Sequence, residues 1–232
     1  ENDDEYGDDR YIYKINDDRI LHNTLASNSN GLIGSIINSV LSYSRVSDRE
    51  YFNDFGNSLS TVSQSSVKRE IRLFGETYSD KNIYNYELSS VSYQPSTTGV
   101  AEQYETVPSF KFNYKNKNSS DFNYNVKASV DRFEHKDNSV VEGTRYLIYP
   151  SIEMPLLSDG WEVTPKFGVR YIDYSLDNNT TDPISKTTAI ASLRGKLYFD
   201  KFVGDKLYTL EPEAYLLYIP VGNQDGNPLF DT

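Results

Sequence analysis

A period of two runs through this chain over unusually long stretches. In Ser109-Phe110-Lys111-Phe112-Asn113-Tyr114-Lys115, three aromatic rings fall on one side of an extended backbone and Ser, Lys, Asn and Lys on the other. Successive side chains of a strand point to opposite faces, so this spacing specifies a strand with one apolar and one polar face. The next segment repeats it, with Phe122, Tyr124, Val126, Ala128 and Val130 opposite Asn123, Asn125, Lys127, Ser129 and Asp131. Asn116 to Ser120 between them is a turn by composition, so the two segments predict a hairpin.

The same alternation recurs from Trp161 to Tyr171 and from Leu193 to Phe199, while Tyr208 to Ile219 reads as one longer, more apolar strand. Weaker strand candidates are Tyr11–Ala26, Leu32–Val46, Val62–Tyr78 and Ile83–Tyr93. Helical spacing is scarce; its nearest candidate, Gly31 to Leu41, is rich in Ile, Val and Ser, which suit strands better. The result is about ten strands, many longer than the five or six residues usual in globular proteins. Only 37% of residues are hydrophobic, against a usual share of about 45–50%, which is poor material for a large aliphatic core. Yet 20 Tyr, 11 Phe and one Trp are far from a disordered composition.

Long amphipathic strands with aromatics near their ends predict an all-β fold, an antiparallel up-and-down transmembrane β-barrel. Lipid offers backbone groups no water partner, so a closed ladder survives there, with aliphatic residues toward lipid and polar residues toward an aqueous lumen. A soluble β-sandwich that binds sugars alternates in the same way and is the first alternative. The net charge of −11 argues against a nucleic-acid partner that needs a basic face. No apolar run approaches the ~18 residues of a spanning helix.

Chemistry-bearing motifs are few. The acidic stretch at residues 2–9 lacks the spacing of a calcium loop, and there is no nucleophile elbow, phosphate loop or dinucleotide fingerprint. With no cysteine and two histidines, neither a cofactor nor a metal site is expected. Asp17 and Asp18 near His22 are the one pattern that suits the second alternative, a small ten-strand outer-membrane protease or acyl hydrolase. His135 sits in a charged turn and reads as a surface residue.

Two segments are more specific. One is Val46-Ser47-Asp48-Arg49-Glu50-Tyr51-Phe52-Asn53-Asp54-Phe55; the other runs from Leu210-Glu211-Pro212 through Tyr218-Ile219-Pro220 to Gln224, Phe230 and Asp231. Both resemble the LptD family of lipopolysaccharide (LPS) assembly proteins, and Arg145 to Leu156 followed by Trp161 falls in the family's order. Val221-Gly222 departs from the aromatic and basic residues usual before Asn223-Gln224. The resemblance implies that residues 1–232 are part of one outer-membrane barrel domain of a Gram-negative bacterium, a partial barrel from its earlier half. A periplasmic jellyroll and the remaining strands would lie outside the segment. It implies a non-enzymatic translocon component whose partners are LPS, the plug lipoprotein LptE, the bridge protein LptA and outer-membrane lipid. The family's disulfides, as the resemblance has it, tie regions beyond this segment, and its lateral gate joins the first and last strands.

Alternation then nominates Lys111, Asn113, Asn123, Asn125, Lys127, Lys166 and Arg170 as lumen-facing. Proline lacks a ladder donor, so a bulge is expected near Pro165 and strand ends at Pro155 and Pro220.

Overall fold

The computed structural model describes residues 12–28, 31–47, 66–79, 82–96, 100–116, 122–137, 139–177, 184–222 and 227–230, with side chains from residue 35 onward. Among the described residues thirteen strands follow in chain order: β1 Ile12–Asn28, β2 Gly31–Val46, β3 Ser66–Tyr78, β4 Asn82–Pro95, β5 Glu105–Asn116, β6 Asn123–Glu134, β7 Gly143–Glu153, β8 Leu156–Ser158, β9 Trp161–Leu176, β10 Ile184–Leu197, β11 Phe199–Val203, β12 Lys206–Leu210 and β13 Glu213–Tyr218. The main sheet runs β1-β2-β3-β4-β5-β6-β7-β9-β10-β13, with β8 also on β9; β11 and β12 pair with each other. Every pairing is antiparallel. This is an up-and-down all-β wall, a partial barrel, and Gly31–Leu41 lies within strand β2.

Connections alternate in length. Those spanning 29–30, 79–81, 117–122 and 159–160 are short, whereas those spanning 47–65, 96–104, 135–142 and 177–183 are longer. The sheet therefore has a short-turn end and a long-loop end.

The two faces differ in kind. Ile71, Leu73, Leu88, Phe110, Tyr124, Val130, Tyr146, Ile148, Phe167, Val169, Tyr171 and Leu193 share one face by register and are all exposed. A sandwich would cover this face with a second sheet; among the described residues nothing does. Rings mark its edges, with Tyr84 and Tyr114 5.2 Å apart toward the short-turn end and Tyr146 toward the loops. Buried apolar side chains are few among the described residues: Val46, Val67, Phe133, Tyr174 and Phe230.

Three proline expectations met different outcomes. β13 stops at Tyr218, before Pro220, and Pro155 interrupts the wall between β7 and β8. No bulge occurs at Pro165: Leu193 pairs with it in an unshifted register. The reason is directional. Pro165 O accepts Met154 N–H at 3.0 Å, and in an antiparallel strand a residue's N and O face the same neighbour. The missing donor thus faces the gap that Pro155 already makes, and the β10 ladder never needs it. Bulges lie elsewhere, including Val107–Pro108, where β5 shifts against both β4 and β6. The expected single strand Tyr208–Ile219 is likewise corrected: Glu211-Pro212 divides it into β12 and β13.

Candidate functional site on the polar face

The register places Lys111, Asn113, Asn123, Asn125, Lys127, Lys166 and Arg170 on one face, opposite the exposed aromatics. A row of amides crosses it: Asn85 Nδ2 donates to Glu76 at 2.6 Å, Asn113 to Asn85 at 3.2 Å and Asn125 to Asn113 at 3.0 Å. A charge row runs beside it, with Lys111 Nζ 3.2 Å and Arg72 Nη1 3.8 Å from Glu87. Lys166 lies 3.8 Å from Glu153, to which Asn123 also donates. Among the described residues no ion pair is found for Lys127 or Arg170, which flank Tyr149 in one row across β6, β7 and β9. The Tyr149 ring lies over Gly168, where an added Cβ would come within 2.5 Å of it. Glu76, Glu87, Lys111, Asn113 and Lys127 line an open groove of about 630 Å³.

Charge is divided unevenly between the faces: the apolar one holds Arg69, Glu105, Arg132, Glu134 and Asp173, all toward its long-loop end. From β3 to β10 the polar face carries eleven basic residues, Lys68, Arg72, Lys111, Lys115, Lys127, Arg145, Lys166, Arg170, Lys186, Arg194 and Lys196. It carries six acidic ones, Glu70, Glu76, Glu87, Asp131, Glu153 and Glu162. A chain of net charge −11 thus turns a net-basic surface to one side.

At the long-loop end this face closes over an anchored cluster. Asp131, 4% exposed, accepts from Ser109 Oγ at 2.6 Å, Ser129 Oγ at 3.0 Å and Arg145 Nη2 at 3.3 Å. The Arg145 guanidinium stands 4.9 Å from the Phe133 ring centre. Phe230 stacks on Phe133 at 4.5 Å and meets Tyr104 edge-on at 5.2 Å. Burial, then Glu142, raise the Tyr104 hydroxyl above its ordinary range. In the neighbouring loop, hydrogen bonding to Arg132 lowers Asp177 below the ordinary carboxylate range. His135 joins two loops, its Nε2 3.1 Å from the Glu102 carbonyl.

Residues 10–232 match the family model described as "LptD: LPS transport system D". The chain belongs to the LptD family. Relatives named "LPS-assembly protein LptD" occur in Aromatoleum aromaticum, 32% identical over 83% of this chain and 25% of that protein, and in Thiobacillus denitrificans, 32% identical over 98% of this chain and 31% of that protein. A third, from Ralstonia nicotianae, is 30% identical over 84% of this chain and 26% of that protein. The chain therefore spans about a quarter to a third of the length of these LptD relatives.

Of the segments that carried the resemblance to LptD, Tyr51, Phe52, Asn53, Asp54, Gln224 and Asp231 lie outside the described residues. Leu210 ends β12, Glu211 holds Lys196 at 2.6 Å, and the Pro212 carbonyl accepts Leu197 N–H at 3.0 Å. Tyr218 ends β13 on the apolar face, and Phe230 is buried. Sequence reasoning missed Arg69 and Gln94. Gln94 bonds both the N–H and the carbonyl of Val46, while Arg69 Nη2 donates to Gln94 and Nε to the Ser44 carbonyl. Strand β2 is thereby fixed where the first family segment begins. The signal was a cation and an amide on an otherwise apolar face.

Proposed function

We propose that this segment is wall of the outer-membrane barrel that carries LPS to the outer leaflet, in a protein that transports rather than catalyses. The observation that carries the reading is the division of one sheet into an exposed, uncharged apolar band and a net-basic, hydrogen-bonding face. The first suits lipid tails. The second suits a hydrated lumen in which sugars meet amides and phosphates meet cations. In this reading the seven alternation-nominated residues face the lumen, and Lys127 and Arg170, without carboxylate partners among the described residues, are cations placed to meet phosphate.

Short periplasmic turns and longer outer loops are the habit of such barrels, so the long-loop end faces outward. Residues 1–232 then form part of one barrel domain, with the jellyroll and remaining strands elsewhere in the polypeptide. LptE as lumen plug and LptA as periplasmic bridge follow from the family resemblance. The family points away from an outer-membrane hydrolase, and the Asp17, Asp18 and His22 pattern stays a sequence pattern.

The test is photocrosslinking in cells, with a benzophenone amino acid at position 127 or 170 of the complete protein and, as a control, at position 169 on the apolar face. LPS adducts at 127 and 170 that disappear when LPS supply is stopped are the expected result. Adducts at 169 alone, or at none, would overturn the lumen assignment.

A further inference from the structure

β11 and β12 are separate from the main sheet only in part. Lys196 pairs with Glu213, Leu197 N–H bonds the Pro212 carbonyl, and Phe199 pairs with Leu210. These partners keep a single register, so β10–β11 and β12–β13 form one long hairpin that turns at Gly204, where φ is +61°. The neighbouring strand gives out first: Leu197 pairs with Trp161 at the start of β9, and Tyr198 N–H reaches Gly160 in the β8–β9 turn at 2.9 Å. From Phe199 onward no further strand flanks the ribbon among the described residues, and five residues at about 3.4 Å each carry it roughly 15 Å past the short-turn end of the sheet.

All ten strand residues of this overhang are exposed. A two-stranded ribbon uncovered on both faces is marginal in water. The face continuing the apolar side of the wall, beyond Leu193 and Leu197, carries Phe199 with Leu210, then Lys201 with Tyr208, then Val203 with Lys206. Apolar and aromatic groups therefore lie nearest the wall, and lysines follow toward the tip. That order matches the boundary of a bilayer, where rings sit among headgroups and lysine stems reach past them to phosphate. Trp161, on the same face beside Leu197, joins the patch to the lipid-facing band. The opposite face carries Asp200 with Thr209 and then Phe202 with Leu207, which sets its carboxylate away from anionic lipid.

We propose that the overhang is an interfacial anchor: Phe199, Tyr208 and Leu210 rest in the headgroup zone of the leaflet at the short-turn end, with Lys201 and Lys206 on phospholipid phosphates. This inference rests on the barrel reading above. It commits to lipid as the occupant because the patch is continuous with the lipid-facing band and ends in cations.

The test uses the complete protein in vesicles of phosphatidylethanolamine and phosphatidylglycerol containing lipids with a nitroxide on the acyl chain near the headgroup. An environment-sensitive fluorophore is attached at Tyr208→Cys, Leu210→Cys, Phe202→Cys or, in the middle of the apolar face, Phe167→Cys. The expected result is quenching at 208 and 210 several-fold stronger than at 202, reduced when Lys201→Glu and Lys206→Glu are combined. Equal quenching at 208 and 202, or a blue-shifted but unquenched label at 208, would overturn the anchor; the second outcome would mean a protein covers the ribbon. A red-shifted, water-like emission at 167 would instead overturn the barrel reading.

Discussion

The two faces of the wall are built from the same strands, yet they hold their residues by opposite means. On the apolar face, side chains such as Phe167 and Ile148 are open and make no polar contact; their stability depends on the medium that wets them. On the polar face most charges are answered within the sheet, beside an amide row that crosses four strands. One face is completed by its surroundings and the other completes itself. A defect should therefore cost most on the apolar face when it adds charge, and most on the polar face when it removes a partner.

The strongest way to break this contrast is a cation in the apolar band. Phe167→Arg should cost about 2–4 kcal/mol near the bilayer midplane, whereas Asn123→Arg on the polar face, with Glu153 opposite it, should be tolerated; urea unfolding of the complete protein in vesicles compares them. Next comes removal of a polar partner. Asp131→Ala leaves Arg145 and two serines without their shared acceptor, and a loss of about 1–3 kcal/mol is expected, read in the same unfolding assay. If Asp131→Ala is neutral, the polar face does not complete itself.

Glycine offers a finer comparison because both faces place a tyrosine ring over one. At Gly75 an added Cβ would stand 2.5 Å from the Ile36 carbonyl and 2.7 Å from the Tyr86 ring; at Gly168 the obstacle is the Tyr149 ring alone. Backbone cannot swing aside, so Gly75→Ala should cost about 1–3 kcal/mol and Gly168→Ala less. Thermal melting of the two variants ranks them.

The smallest effect belongs to the loops. Asp177 is held below its ordinary range chiefly by its bond to Arg132. The associated stability is present above the ordinary carboxylate range and is lost as pH falls through the lowered folded value. Asp177→Asn should flatten that acid limb of a stability-versus-pH curve by lowering its neutral-pH end slightly, the pair being partly solvated, while the acid end stays where it was.

Alternation made the two faces legible because a strand's period is local: Lys111, Asn113 and Lys127 were assigned to a common side without knowledge of their neighbours. The Pro165 reading failed on a fact the sequence does not carry, namely which neighbour the missing N–H would face. Phe230 was recognised only as part of a family segment. Its burial against Phe133 joins residues almost a hundred positions apart, and no periodicity encodes that return. Gln94 escaped for a similar reason, since its amide substitutes for a strand partner of Val46. The division at Glu211-Pro212 was visible as a proline but not as the boundary between wall and overhang.

The order of the main sheet has a kinetic consequence. Strands bond to their neighbours in sequence with two short skips, β8 between β7 and β9 and the β11–β12 hairpin between β10 and β13. No pairing waits for a distant part of the chain, so loop-closure costs stay small at every step. Such a wall can lengthen by adding one hairpin at a time, each laid on the last. Throughout that growth the advancing edge needs shelter, as does the outer side of β1, while the strands between them are already flanked.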